Sequence, residues 1–289
     1  MHRSVTCRLS LYADDSALIF SHSDPLAIAD RLSHELSCCR EWLIDNRLSL
    51  HVGKTECILF GTSRRLNRVG DFQITCNGDV VSQVTSVKYL GVKLDQHFKF
   101  SDHINEVVKK CVGRISFLFR HSSSLDFECR KILCVSLVQP YLDYCCSTWY
   151  SSISQRLRSK LEVVQRRMVK FVNSQDVYYH VDLGDFRNLS WLSFPDRVSF
   201  FNLMHVFKIR AGRVPSYLLA NFRPIAQCHE FNTRQSAYDF MVSKEIAASP
   251  RSFVFTAIKQ WNSLPRSLKS VGSLQCFKTR LKQHFFSNY

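Results

Sequence analysis

Apolar residues in the first hundred positions occur in short runs separated by turn residues, a pattern typical of β-strands. Phe72 to Cys76 and Val80 to Val84 flank Asn77-Gly78, a dipeptide that favours a two-residue hairpin turn. A further hairpin is predicted where two runs meet at Asp14-Asp15. The runs that predict the other strands are Val5 to Ala13, Ser16 to Phe20, Cys57 to Phe60 and Val87 to Leu94.

Apolar residues at helical spacing predict one helix in the first hundred residues and a mainly helical chain after Asp95. The early helix starts at Asp24-Pro25. Residues 174–195 and 223–236 are interpreted as connectors, and further helices are predicted near 126–138, 196–210, 250–262 and 273–286. The apolar stripes are Leu32, Leu36, Cys39 and Leu43; Ile104, Val108, Cys111, Ile115 and Leu118; and Leu157, Leu161, Val164, Met168 and Phe171.

Charge divides the chain in the same place as the hydrophobic pattern. The 289 residues are 45% hydrophobic and 22% charged, which excludes wholesale disorder and leaves room for about two domains. Residues 1–100 hold 12 basic and 11 acidic side chains, whereas residues 101–289 hold 27 and 13. A surplus of positive charge in one region indicates a polyanionic partner.

The cysteines and the apolar stretches indicate a soluble intracellular chain, in the nucleus or the cytoplasm, with no membrane partner. No Cys-x-x-Cys spacing of a zinc site occurs among the twelve cysteines. The pairs Cys38–Cys39 and Cys145–Cys146 lie in apolar helical patterns and are expected to be reduced and buried. No signal peptide is recognisable, and the stretch Ile132 to Gln155 is too polar to span a membrane.

Asp14 and Asp15 lie together at the predicted hairpin tip, with strands on both sides that we expect to be buried. Adjacent carboxylates repel each other unless a cation lies between them. Mg²⁺ suits such a position because it binds carboxylates and completes its shell with water and phosphate. On this dipeptide alone, a simple surface turn is the favoured interpretation.

Five blocks in the order of the chain resemble the reverse transcriptases of LINE-type (non-LTR) retrotransposons. The resemblance covers most of the chain, whereas a lone Tyr-Ala-Asp-Asp motif has little specificity. The blocks are Tyr12-Ala13-Asp14-Asp15 with Ser16 to Phe20; Asn46 to Leu50 with Gly53 to Phe60; Lys88-Tyr89-Leu90-Gly91-Val92 with Leu94-Asp95; Leu137 to Tyr144 with Trp149; and Arg234, Arg251, Trp261-Asn262-Ser263-Leu264-Pro265, Phe277-Lys278 and Leu281.

The resemblance implies a role for each matching residue in RNA-directed DNA synthesis with two Mg²⁺ ions. Asp14 is implied as the main metal ligand and Asp15 as the weaker one. Lys54 is implied near the leaving pyrophosphate, although a solvated lysine remains an alternative. Tyr12 and Ala13 are implied beneath the primer end. Tyr89, Leu90 and Gly91 are implied to hold the primer strand, with a plain core position as the alternative for Tyr89.

The fold class implied is α+β, with a partial palm of hairpin, helix and short antiparallel strands, followed by an all-α basic thumb and tail. The expected domains are 1–100 for the palm and primer-grip hairpin, 101–175 for a helical thumb-like region, and 176–289 for a basic helical region. The family's third carboxylate precedes the hairpin, but Met1 to Ala13 contain no Asp or Glu. We therefore expect a reverse-transcriptase fragment without nucleotide-transfer activity of its own, in which Mg²⁺ binding belongs to the complete enzyme.

One predicted helix concentrates positive charge and is the candidate contact for an RNA template, a DNA primer or an RNA–DNA hybrid. Phosphate contacts of this kind do not read bases. A merely solvated basic face is the alternative. The helix carries one acid, Glu162, and six cations: Arg156, Arg158, Lys160, Arg166, Arg167 and Lys170.

Two further interpretations remain open. The chain could be a nucleic-acid-binding or inert remnant of a retroelement without catalysis. Ile104 to Trp149 also resembles a helical segment attached to AlkB-type oxygenase–methyltransferases. His22-Ser23-Asp24 matches half of the iron-binding pattern of such oxygenases, but the glycine-rich turn of a methyltransferase is absent.

Overall fold

A computed structural model describes residues 7–227 and 238–289. Its contacts divide the chain into two compact units, one ending at Lys99 and the other beginning at Phe100. The start of the first predicted strand (residues 5–6), residues 228–236 of the second predicted connector, and Arg234 of the tail motif lie outside the described residues. Within the described residues, no helix is both long and apolar enough to cross a membrane.

Short paired strands and one long helix make up the first unit. The strand pairs are antiparallel for β1 with β2, β4 with β5 and β7 with β8, and parallel for β3 with β6. The elements are β1 (Arg8–Tyr12), β2 (Asp15–Ile19), α1 (Pro25–Asp45), a 3-10 turn (Val52–Lys54), β3 (Glu56–Cys57), α2 (Ser63–Leu66), β4 (Thr75–Cys76), β5 (Asp79–Val80), β6 (Ser82–Gln83), β7 (Ser86–Tyr89) and β8 (Val92–Asp95).

Helix α1 organises the core of this unit. It begins where the sequence predicts, because the Asp24 carboxylate accepts a hydrogen bond from the Leu26 amide and Pro25 occupies the first turn. One part of its apolar face packs on a cluster that includes Phe72, Ile74 and Val81. Farther along, Cys39 packs with Cys7, Leu18 and Phe20 beneath the β1–β2 hairpin. The helix therefore supports both ends of the unit.

Several strand predictions differ from the structure. Phe72 to Cys76 shortens to β4, and Val80 to Val84 is divided between β5 and β6, which pair with different strands. Val87 to Leu94 is not one strand but the hairpin of β7 and β8, since Leu90 and Gly91 have φ angles of 43° and 81° and reverse the chain. Such left-handed angles suit a two-residue hairpin turn, and glycine adopts them freely. The strand predicted from Cys57 to Phe60 is reduced to Glu56–Cys57, because the β6 partner pairs with those two residues alone. The Asn77-Gly78 hairpin is confirmed.

Helices form the second unit. The longest pair, α3 and α7, pack side by side with their apolar stripes inward. Helices α9, α12 and α14 enclose a second core built around Trp261 and Phe277. The helices are α3 (Ser101–Arg120), α4 (Phe127–Leu137), α5 (Gln139–Asp143), α6 (Cys146–Trp149), α7 (Gln155–Val172), α8 (Leu183–Asn188), α9 (Phe194–Arg210), α10 (Ser216–Leu219), α11 (Lys244–Ala247), α12 (Phe253–Asn262), α13 (Arg266–Lys269) and α14 (Leu274–Phe286).

The segment 174–195 is not a plain connector, because it contains α8. The Asp182 carboxylate accepts a hydrogen bond from the Asp185 amide, and the Asp185 carboxylate accepts one from the Asp182 amide. This reciprocal capping box allows the helix to start despite Gly184 within its first turn.

Every cysteine that the structure describes is a free thiol. Burial differs within the two adjacent pairs, because neighbours on a chain point in different directions. Cys39 and Cys146 are buried, Cys38 is half-buried and Cys145 is exposed, so the expectation of burial is wrong for Cys145.

Candidate active site and nucleic-acid interface

The β1–β2 hairpin places the two carboxylates at its tip. Tyr12 pairs with Asp15, so Ala13 and Asp14 form a two-residue turn between the strands. Ala13 has a φ angle of 51°, a left-handed conformation that costs an L-residue about 1–2 kcal/mol. Both carboxylates are exposed to solvent. The turn therefore presents two adjacent anionic groups on strained backbone, a feature that often accompanies function.

The strands of this hairpin are less buried than the sequence predicts. Leu11, Tyr12 and Ile19 are 51%, 65% and 50% exposed. The sheet has two strands, and Leu18 packs towards Cys39 while much of the remaining apolar surface faces solvent. The apolar runs are real strands, but within the described residues they form an exposed ribbon and not a buried layer.

A hydrogen bond joins the carboxylate hairpin to the hairpin of β7 and β8. The Ser10 hydroxyl on β1 lies 2.9 Å from the Tyr89 hydroxyl at the end of β7. Tyr89 is half-buried, and the turn formed by Leu90 and Gly91 follows it directly. The structure thus brings together the two blocks that resemble the catalytic hairpin and the primer grip. Tyr89 therefore makes a polar contact that a plain core position lacks.

Lys54 ends the 3-10 turn that precedes β3, and its side chain is exposed. This exposed position at the entry to β3 fits the alternative interpretation of Lys54 as a solvated lysine. Its ammonium group makes no hydrogen bond or ion pair with any part of the chain that the structure describes.

The carboxylates at the hairpin tip that a metal ion could reach are those of Asp14 and Asp15. Within residues 7–227 and 238–289, no group of three or more His, Cys, Asp or Glu side chains could hold a metal. Mg²⁺ is commonly bound through one or two carboxylates, with water and substrate phosphate completing its shell. The exposed pair fits a partial coordination shell of that kind.

The cations of α7 divide into those with a partner within the chain and those without. Lys160 donates to the Asn105 side chain at 2.7 Å, and Lys170 donates to the Val177 carbonyl at 2.5 Å. Arg158 donates to the Ser151 carbonyl and lies over the Tyr150 ring, while Arg166 pairs with Glu162 at 3.6 Å. Lys160, Lys170 and Arg158 therefore tie α7 to neighbouring segments of the second unit, whereas Arg166 is paired within α7.

Arg156 and Arg167 remain as the cations of α7 without an ion pair or hydrogen bond to any described residue. Their separation of eleven residues places them on the same side of the helix, three turns apart. Arg156 is exposed and Arg167 is half-exposed. They are the α7 charges most available to an external anion.

The thumb-like motif has a structural explanation. Asp143 accepts two hydrogen bonds from Arg197 on α9, at 2.6 and 2.5 Å, and a third from Gln139. Tyr141 accepts a hydrogen bond from Arg114 on α3 at 2.6 Å. The motif therefore ties α5 to α3 and α9, a role that the sequence pattern does not reveal because both arginines lie far away along the chain.

The tail motif is structural as well. The Trp261 ring nitrogen donates to the Tyr238 carbonyl at 2.8 Å, and the Asn262 amide exchanges two hydrogen bonds with the backbone of Phe240. Lys269 is buried and donates to the Asp239 carboxylate at 2.8 Å and to the Asn262 carbonyl. Burial of a lysine with an aspartate could not be read from the sequence.

His22-Ser23-Asp24 has a local role. His22 accepts a hydrogen bond from the Asp24 amide at 3.1 Å, and Asp24 caps α1. Both polar side chains therefore have partners at the start of α1, where Asp24 is the helix cap.

Over about 59% of its length, the chain is homologous to RNA-directed DNA polymerases from non-LTR retrotransposons. It is 27% identical over 176 residues to the RNA-directed DNA polymerase from mobile element jockey of Drosophila funebris, covering 18% of that protein. It is 25% identical over 173 residues to the probable RNA-directed DNA polymerase from transposon BS of Drosophila melanogaster, covering 19%. With the Pol polyprotein from retrotransposable element R1 of Bradysia coprophila it shares 26% identity over 145 residues, or 49% of this chain and 14% of the relative.

The chain thus spans less than a fifth of the length of these relatives. No protein-family model matches it, and no solved structure matches it. The resemblance to LINE-type reverse transcriptases that the sequence motifs indicate is confirmed by these relatives.

Proposed function

We propose that the chain forms part of a retrotransposon reverse transcriptase, an RNA-directed DNA polymerase, and contributes the metal-binding hairpin and a nucleic-acid-binding helical unit. The hydrogen bond between Ser10 and Tyr89 is the observation that carries the proposal. It joins the two blocks that resemble the catalytic hairpin and the primer grip. A primer end held by the turn after Tyr89 would then be held against the same hairpin that carries Asp14 and Asp15.

The proposed chemistry assigns each side chain one task in the complete enzyme. Asp14 and Asp15 would hold Mg²⁺, which when bound would supply positive charge to the oxygens of nucleotidyl transfer. Lys54 donates to the negative charge that develops on the pyrophosphate. Tyr12 and Ala13 support the primer end, and Leu90 and Gly91 hold its strand.

The helical unit is proposed to grip the phosphates of an RNA template paired with a DNA primer. Its contacts are electrostatic and independent of base sequence, because Arg156 and Arg167 project from one helix face and have no internal partner among the described residues. Such an enzyme acts inside the cell, and we place this chain in the nucleus or the cytoplasm.

A nucleic-acid-binding retroelement protein without catalysis is the second candidate. The observation that favours it is the donor set at the hairpin, which has two carboxylates among the described residues. Magnesium-dependent primer extension by the 289-residue polypeptide that Asp14→Ala abolishes would exclude the non-catalytic protein. We expect no extension by this chain alone, a result that both candidates share.

Binding to an RNA–DNA hybrid tests the proposed function itself. Fluorescence anisotropy with a labelled 20-base-pair hybrid, between about 50 and 200 mM KCl, should show affinity falling steeply with salt. Replacing Arg156 and Arg167 by Gln should weaken binding and reduce the slope by about one per lost phosphate contact. The matched control replaces the exposed Arg64 and Arg65 of α2. Equal losses in both variants, or binding that salt does not change, would contradict the proposal.

A further inference from the structure

A cavity of about 210 Å³ lies against one face of α14. Lys278 and Lys282 line it one helical turn apart, and the other lining residues are Ser190, Gln275, Thr279, Gln283 and Phe286. The Phe286 ring centroid lies 5.5 Å from the Lys282 ammonium. The cavity therefore has two cationic side chains in its lining, beside neutral polar side chains and an aromatic ring.

The positive charge at this cavity is not balanced by the helix that carries it. Lysines four residues apart on a helix repel each other and destabilise it by about 0.2–0.5 kcal/mol. No acidic residue occurs from Ile246 to Tyr289 that could relieve the repulsion. Lys131 and Arg197 add positive charge nearby, and Asp143 already neutralises the arginine. The chain thus keeps a cluster of lysines together at a cost to its own stability.

Burial and the neighbouring positive charges lower the pKa of Lys282. Its pKa is lowered by burial first, and then by the charges of Arg197, Lys278 and Lys131. Both causes disfavour the ammonium form, and a bound anion would oppose the second of them. The side chain nevertheless remains at the cavity, where contact with the Phe286 ring holds its position.

We propose that this cavity on α14 binds a phosphate group, with Lys278 and Lys282 as the charged contacts and Ser190 as a hydroxyl donor. Ammonium groups act on phosphate as point charges, and the hydroxyl adds direction to the contact. The group comes from a nucleic-acid backbone or from a free phosphate compound. The first source rests on the proposed function, whereas the phosphate site itself does not.

Two probes and matched single-charge variants test the site. Isothermal titration calorimetry measures binding of inorganic pyrophosphate, and fluorescence anisotropy measures binding of a labelled 12-nucleotide single-stranded RNA. Lys282→Gln should weaken the phosphate contact roughly tenfold, the effect of losing one charge-assisted hydrogen bond. The control is Arg280→Gln, which removes an exposed charge from the same helix but outside the cavity and should change either affinity less than about twofold.

Each outcome has a defined meaning. A loss for both probes, or for RNA when pyrophosphate does not bind, supports the site, and the second pattern identifies the backbone as the source. A loss for pyrophosphate in a chain that does not bind RNA keeps the site but counts against the proposed function. Equal effects of Lys282→Gln and Arg280→Gln overturn the site. The exposed Lys278→Gln variant gives the same comparison if Lys282→Gln fails to fold.

Discussion

Lys269 is the buried charge whose removal should affect stability most clearly. Its side chain is 6% exposed, and its ammonium group lies 2.8 Å from the Asp239 carboxylate, which is 14% exposed. A second hydrogen bond of 2.7 Å reaches the Asn262 carbonyl. These contacts tie the segment before α11 to α12 and α13. Replacing Lys269 by Met keeps much of the side-chain length and removes the charge.

The expected loss of stability depends on the groups that the substitution leaves without a partner. Lys269→Met leaves the Asp239 carboxylate without its ion-pair partner in a poorly hydrated position, and breaking a buried pair in this way costs about 3–5 kcal/mol. Replacing both partners, Lys269→Met with Asp239→Leu, removes both charges and should cost clearly less, because no unpaired buried charge remains. The Asn262 carbonyl loses a donor in both variants, at a cost of about 1 kcal/mol.

Urea unfolding followed by tryptophan fluorescence measures these differences. Trp149, Trp191 and Trp261 all belong to the second unit, so its transition dominates the signal. The midpoint of Lys269→Met should fall strongly without a change in slope, and the double variant should recover part of the loss. A loss below about 1 kcal/mol, the value of a surface ion pair, would refute the reasoning. So would a double variant that is less stable than Lys269→Met.

Two further predictions concern the buried Cys134 thiol of the second unit and the turn at Gly91 in the first unit. Burial raises the pKa of Cys134 to about 12. The thiol therefore ionises at lower pH in the unfolded chain than in the folded one, and the free energy of unfolding should fall as pH rises above about 9. In urea unfolding at several pH values, Cys134→Ala should lose less of this free energy than the unsubstituted protein, by up to about 1.4 kcal/mol per pH unit. The prediction is wrong if the free energy of unfolding falls with pH as steeply in Cys134→Ala as in the unsubstituted protein. Gly91→Ala forces alanine into a φ of 81° and should destabilise the first unit by about 1–2 kcal/mol, measured by urea unfolding followed by hydrogen exchange in peptides from residues 7–99. An unaltered unfolding midpoint would contradict this prediction.

Sequence reasoning identified local features better than distant contacts. The start of α1 at Asp24-Pro25 and the Asn77-Gly78 hairpin follow from neighbouring residues, and the structure contains both. The apolar pattern predicts one strand from Val87 to Leu94 because the run continues across Leu90-Gly91, and only the motif resemblance indicates a hairpin there. A leucine with a left-handed backbone is not a turn signal, although the glycine after it offered a hint.

Distant partners set the limit of the sequence interpretation at the candidate site too. The motif predicts the turn at Asp14 from neighbouring residues. The hydrogen bond from Ser10 to Tyr89 joins residues 79 positions apart, so no local pattern predicts it. The charges of α7 were also readable, but the sequence does not show that Lys160 and Lys170 are engaged within the fold. A cationic helix read from sequence therefore overstates the charge that is free for nucleic acid.

The most direct test of the central claim locates the primer end on the chain. An RNA–DNA hybrid with a photoreactive nucleotide at the primer 3′ end is bound, irradiated and digested, and mass spectrometry identifies the cross-linked peptide. We expect cross-links within Leu11 to Ser16 or at Tyr89 to Gly91. These cross-links should disappear when an unlabelled hybrid competes. Cross-links confined to other parts of the chain, with the hybrid firmly bound, would contradict the claim that these two hairpins form the polymerase site.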